Sequence, residues 1–193
     1  MSPLLPPIAS AERLLVVVGP SGAGKDSVLR AWRERLSATD AEVAFARRVI
    51  TRPPEANEAH ESVDEEAFAR LRAQRALATW WQANGLLYGI RQTELAPLAQ
   101  GAWVVMNGSR AHLPALRAQA PGLRAVAITA PTEVLAERLA QRGREDAQAL
   151  AQRLARAPQA EVDLTLCNDG TLADTADALH RWWQGQGAAS PAR

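Results

Sequence analysis

The sequence predicts an α/β fold, a parallel sheet covered by helices on both faces. Three observations point to it. Residues 14–18, 103–106 and 125–129 are short, unbroken apolar runs, the pattern of strands buried on both sides. Longer stretches with apolar residues at helical spacing separate them. A glycine-rich loop, residues 19–24, joins the first strand to the first helix, where such sheets collect phosphate groups.

The elements follow in order. Residues 1–11 are proline-rich and expected to be loose. After the strand at 14–18 and its glycine loop, a helix starts at Asp26, with Val28, Leu29, Trp32 and Leu36 on one face. Residues 43–50 give a weaker strand signal and end in the loop Thr51-Arg52-Pro53-Pro54. Ser62 and Glu65 have capping-box spacing ahead of a helix carrying Phe68 and Leu71. Residues 80–90 are aromatic and glycine-containing, with little helical periodicity, and 93–100 form a short helix. The strand at 103–106 runs into Asn107-Gly108-Ser109-Arg110, and a helix with Leu113 and Leu116 follows. After the strand at 125–129, Pro131-Thr132 opens a helix that Gly143 stops. Residues 144–157 are helical and Arg-rich. A last strand at 164–167 turns through Asn168-Asp169-Gly170 into a helix ending near Trp183, and 185–193 form a frayed tail. The expected organisation is one domain over 12–184.

Composition narrows the function. The chain has 193 residues, 22 basic and 21 acidic, for a net charge of +1, so no broad positive field exists to coat a polyanion and no nucleic-acid partner is expected. One cysteine allows no intramolecular disulfide and fits a reducing, cytoplasmic setting. The apolar runs are too short to span a membrane, and the start lacks a secretory pattern. Oligomeric state leaves no mark. Of the 22 basic residues only Lys25 is a lysine, retained against a strong bias to arginine. Such a position calls for a compact ammonium rather than a planar fork. Cys167 ends a strand and is expected to be a small buried hydrophobe; Trp80-Trp81 and Trp182-Trp183 are expected to pack the core.

The chemistry concentrates at Gly19-Pro20-Ser21-Gly22-Ala23-Gly24-Lys25, a P-loop in the required strand-to-helix context. Its N–H groups would cradle phosphate oxygens, with Lys25 reaching the β- and γ-phosphates of ATP. The next residues, Asp26 and Ser27, depart from the usual pattern, in which a Ser or Thr hydroxyl at the first position ligates Mg²⁺. A carboxylate is a harder ligand for that ion and gains from the helix N-terminus. The strand at 103–106 ends in Asn107 where P-loop enzymes often carry a metal-supporting Asp, so the charge near the metal is read as moved to Asp26. Arg138, Arg142, Arg144, Arg153 and Arg156 could converge on the transferring phosphates as a movable lid over about 138–157.

These residues resemble the guanylate-kinase family of P-loop phosphotransferases. The matching pieces are the 19–25 loop, Thr51-Arg52-Pro53-Pro54, Asn84-Gly85-Leu86-Leu87-Tyr88-Gly89, Glu137-Arg138-Leu139 with Arg142-Gly143, and Asn168-Asp169. The resemblance implies that the P-loop and lid hold ATP with Mg²⁺ and that Lys25, Arg142 and Arg153 are catalytic. It places Arg138, Arg142, Arg144 and Asn168 on the nucleotide, Asn168 near the adenine. It also implies an acceptor region over about 43–92, holding a phosphate through Arg52, Tyr88 and Gly89, with His60 near an expected phosphate-binding Tyr; the adjacent Arg47 and Arg48 are further candidates by charge, of which strand alternation turns one away. Aligned on Tyr88-Gly89, Gln82 stands where the family reads guanine with Glu, and an amide loses one bond to the base. Asn107 replaces an Asp, Glu55 a second phosphate-binding Arg, and His60 a Tyr. Gly24-Lys25-Asp26-Ser27, Ile50-Thr51-Arg52, Ala83-Asn84-Gly85-Leu86 and 105–114, with Asn107, Gly108, Ser109 and Arg110, resemble more closely the ribose 1,5-bisphosphate phosphokinases of bacterial phosphonate breakdown. That resemblance implies transfer of the ATP γ-phosphoryl group to the 1-phosphate of ribose 1,5-bisphosphate, a small phosphorylated sugar. The alternatives are a nucleoside monophosphate kinase with altered acceptor preference and a non-catalytic binding module.

Overall fold

The computed structural model describes residues 6–38, 40–53, 59–140 and 161–187. The chain divides into two compact units, Met1–Val17 with Glu42–Ala125, and Val18–Ala41 with Val126–Arg193.

The first unit contains two sheets. Strand β1 (Leu14–Val18) and strand β7 (Trp103–Asn107) pair in parallel, Leu14 opposite Val104 and Val17 opposite Asn107, and β2 (Val43–Phe45) flanks β7 on its other side. Every residue of β1 and β7 is buried, as their apolar runs require. The stretch at 43–50, expected as one strand, is two. Arg48–Ile50 forms β3, which belongs to a four-stranded sheet of order β4-β3-β6-β5 with His60–Ser62 (β4), Leu77–Ala83 (β5) and Leu86–Arg91 (β6). β5 and β6 form a hairpin around Asn84-Gly85, both at positive φ (50° and 73°). Asn-Gly is the pair that a two-residue hairpin turn of this hand favours.

Helix α2 (Glu65–Ala73) is capped by Asp64, whose carboxylate accepts from the Ala67 N–H at 2.6 Å. The expected cap, Ser62, instead lies in β4, paired with Ile50. Its backbone is committed to the ladder, so the helix starts after it. The short helix α3 (Gln92–Leu95) tightens into a 3-10 turn over Ala96–Gln100, and α4 (Leu113–Gln119) follows β7. Residues 6–11, expected to be loose, are tied down: the Ile8 N–H donates to the Gln119 carbonyl, and the Gln119 amide donates to that of Pro6.

The second unit holds α1 (Lys25–Arg35), β8 (Arg124–Thr129) from Val126 onward, α5 (Thr132–Ala140), β9 (Leu164–Cys167) and α6 (Leu172–Gly187). β8 and β9 pair in parallel from Val126↔Leu164 to Thr129↔Cys167. α1 packs on α6 through Trp32 and Trp183, edge to face with centroids 5.6 Å apart, and through an Arg35–Asp177 ion pair. Trp183 packs the core as expected, but Cys167 is exposed. β9 alternates half-buried and exposed residues, and Cys167 falls on its outer set. Among the described residues no helix is long and apolar enough to cross a membrane.

Candidate active site

The second unit builds a phosphate loop. After β1 the chain turns through Gly19 (φ 148°), Gly22 (82°) and Gly24 (83°), values that side chains disfavour. A Cβ at Gly19 would collide with the Ile128 carbonyl, and one at Gly24 would lie 2.5 Å from the Asn168 amide nitrogen. Lys25 opens α1, and its Nζ donates to the Gly19 and Pro20 carbonyls at 3.0 and 2.9 Å, folding back over the loop. Asp26 and Ser27, both half-buried, complete the first turn of α1.

Asn168 lies beneath the loop rather than open to a ligand. It is 1% exposed, its Nδ2 donates to the Ala23 carbonyl at 2.9 Å, and its Oδ1 accepts from Thr175 Oγ1 at 3.3 Å. Arg138, near the end of α5, reaches the Gly22 and Asn168 carbonyls at 3.4 Å each. Contacts this long are weak, so the guanidinium is available to better acceptors. The expected lid residues Arg142, Arg144, Arg153 and Arg156, and Glu55 on the acceptor side, lie outside the described residues.

In the first unit, the four-stranded sheet has two distinct faces. Residues directly opposite in a ladder share a face, and neighbours along a strand alternate. Val49, Phe68 and Leu77 form the core on the α2 face, with Trp80 and Leu87 packed against them. Gln82 pairs with Leu87 and is exposed, so it belongs to this face. A Cβ at Gly89 would lie 2.9 Å from Leu77 and 3.3 Å from Phe68, so Gly89 makes room for the α2 core.

The other face carries Tyr88, opposite Trp81 on one side and Ile50 on the other, together with Arg48, His60 and Thr79. The sheet therefore separates Gln82 from Tyr88. His60 is 3% exposed, and its Nε2 donates to the Arg52 carbonyl at 3.0 Å, bracing the Arg52 loop. Thr51 locks the same loop to β6, its Oγ1 accepting from the Leu87 N–H at 2.9 Å. Of the adjacent pair of arginines, Arg48 lies in β3 on this face; Arg47 donates to the His60 carbonyl at 3.1 Å and its N–H to Glu94.

The turn after β7 completes this side. Asn107 is 6% exposed, the Gly108 N–H donates to the Val17 carbonyl, and the Ser109 carbonyl accepts the first N–H groups of α4. Arg110 is half-buried, its pKa is lowered by burial, and among the described residues its guanidinium has no hydrogen-bond or ion-pair partner. Two residues on, His112 stacks on Trp81 and shares a hydrogen bond with Thr79 at 2.8 Å. Neither Thr79 nor His112 stands out in the sequence as a site residue. The available signal was strand alternation, which puts Thr79 and Trp81 on the face of Tyr88.

The guanylate kinase family model matches residues 11–184. The chain belongs to the guanylate kinase family. The fold agrees: the crystal structure of guanylate kinase from Anaplasma phagocytophilum superposes with a TM-score of 0.67 at 17% identity, covering 97% of this chain and 89% of that one. The chain is also similar to proteins named ribose 1,5-bisphosphate phosphokinase PhnN. That of Chromobacterium violaceum is 47% identical, covering 89% of this chain and 94% of its own. That of Pseudofrankia inefficax is 45% identical, covering 86% and 88%. That of Laribacter hongkongensis is 47% identical over 88% of this chain, which spans only 42% of the relative's length.

Proposed function

We propose that this guanylate-kinase-family chain is an ATP-dependent ribose 1,5-bisphosphate phosphokinase, making 5-phospho-α-D-ribose 1-diphosphate and ADP. The observation that carries the acceptor side is Arg110. Arg110 is half-buried and its guanidinium has no partner among the described residues, so an arriving phosphate would supply one. Arg48 and Arg52 add cationic groups for the acceptor phosphates, and Tyr88 offers its ring to the sugar. His60 and Thr51 hold the Arg52 loop in place.

On the nucleotide side the loop N–H groups and Lys25 take the β- and γ-phosphates, and Arg138 moves from its long carbonyl contacts to phosphate oxygens. The lid arginines Arg142, Arg144 and Arg153 join them in the reading from family resemblance. An oxygen of the acceptor 1-phosphate attacks the γ-phosphorus. The bond from that phosphorus to the β,γ-bridging oxygen breaks, and ADP leaves with the electron pair. The nucleophile is already ionised at neutral pH, so no general base is required.

Mg²⁺ fits the residues present. Asp26 supplies one hard oxygen beside the loop, and no group of three carboxylate, histidine or cysteine residues gathers among the described residues, so phosphate oxygens and water would complete the shell. When bound, the ion neutralises charge on the β- and γ-phosphates. The test is a panel of ribose 1,5-bisphosphate, ribose 5-phosphate, GMP and AMP with Mg-ATP, read by phosphorus NMR. A new diphosphate from the ribose bisphosphate supports the reading. Transfer to GMP and not to the sugar overturns it.

A further inference from the structure

We propose that His112, anchored by Thr79 and stacked on Trp81, fills the place that a nucleobase would take on the acceptor face, and so restricts this site to acceptors without a base. The inference rests on the acceptor-side reading above and explains its specificity.

Three rings form a column. Trp81 and Tyr88 are parallel, 6° apart in tilt with centroids at 5.5 Å, and His112 lies 5.4 Å from Trp81 at 19°. These are the offset stacking distances that a purine adopts on an indole. Trp81 is 7% exposed, so no indole face remains for a ligand. Thr79 is fully buried, and its hydroxyl is already bonded to His112 Nε2. A buried hydroxyl and a ring nitrogen could each read the edge of a base; here they satisfy one another. Burial lowers the His112 pKa and keeps the imidazole neutral, so it adds no charge for a phosphate. Within the column Trp81 is buried, while Tyr88 and His112 are each half-buried. That leaves a platform for a sugar, with Arg110 two residues from the plug.

Gln82, which the resemblance places at the base-reading position, lies on the face of the sheet opposite to Tyr88. Discrimination passes to the residues that occupy space on the Tyr88 face. Bulk on that face is a stronger barrier than one mismatched hydrogen bond, because a base would have to displace a packed ring.

The test is GMP and AMP binding to the wild-type chain, His112→Ala and His112→Phe, by calorimetry without ATP, with folding checked by circular dichroism and melting. The wild type and His112→Phe should bind both nucleotides too weakly to saturate. His112→Ala should bind GMP at least about ten-fold more tightly, the worth of one new stacking contact. Added imidazole should reverse that gain by refilling the slot. A folded His112→Ala with no gain, or an equal gain in His112→Phe, would overturn the proposal. Should His112→Ala not fold, Thr79→Ala frees the ring without removing it. It should tighten GMP binding by about threefold through loss of one anchoring bond, and no change would count against the plug. Because the readout is nucleotide binding, a wild-type chain inactive on ribose 1,5-bisphosphate would refute the proposed function and leave this result interpretable.

Discussion

Changing Asn168 to Asp should loosen the phosphate loop without changing its shape, and should do so in a pH-dependent way. The two side chains are nearly the same size. The change keeps an oxygen toward Thr175 but turns the donor 2.9 Å from the Ala23 carbonyl into a second oxygen. At 1% exposure the group is shut off from bulk water. One lost buried bond with its carbonyl left unsatisfied costs about 1–3 kcal/mol. The introduced carboxyl can escape the mismatch by staying protonated, which restores the donor. From an ordinary Asp pKa that costs at most about 4 kcal/mol at pH 7 and about 1.5 kcal/mol at pH 5. Arg138, close to the Asn168 carbonyl, offsets part of the penalty if the group ionises. A loss of about 2–3 kcal/mol at pH 7 lowers the melting temperature of a chain this size by about 5–10 °C. The sign is fixed by linkage: the folded state holds a proton that the unfolded state has released, so the deficit grows as pH rises from 5 to 8 and shrinks toward pH 5. Calorimetric melts at three pH values, with ATP binding measured alongside, test this. A variant that melts within about 1 °C of wild type at pH 8 and binds ATP normally would refute the role of Asn168 as the support of the loop.

Other outcomes follow from the same geometry. Lys25→Arg should fold but lose turnover by about a hundred-fold or more, because a planar fork cannot replace the ammonium seated on the Gly19 and Pro20 carbonyls; steady-state kinetics check it. Arg110→Gln should raise KM for ribose 1,5-bisphosphate by about ten-fold or more and leave ATP affinity unchanged, while stability holds or rises, since a half-buried cation with no partner among the described residues is removed; kinetics and melting together separate this from a folding defect. His112 should contribute to acid sensitivity. Its folded pKa lies below its ordinary 6.5, so the unfolded chain takes up a proton first and stability falls as pH drops below that value. Melting temperatures from pH 7.5 to 5 should show a shallower decline in His112→Phe than in wild type.

Legibility differed between the two sides of the site. The phosphate loop was readable because its requirements are local: glycines at positive φ, a lysine opening a helix, and a buried strand before them. The support from Asn168 was less so. Its amide reaches the Ala23 carbonyl across 145 positions, a pairing with no local signal. Gln82 and Tyr88 are close in sequence, but six positions apart across a hairpin puts them on opposite faces. The tight Asn84-Gly85 turn fixes that register, and an offset of one residue exchanges the faces.

The sequence by itself determined the α/β class, the buried strands, the phosphate loop and the single lysine, because each depends on neighbours a few residues away. Only the tertiary structure decided the rest. It split 43–50 between two sheets, turned Gly89 to the α2 core, set His60 to brace the Arg52 loop, and brought Thr79 and His112 within 2.8 Å across 33 positions. The physical reason is that strand pairing and ring stacking join segments whose separation along the chain carries no periodic signal. Which face a side chain serves depends on a register that only the folded partner imposes.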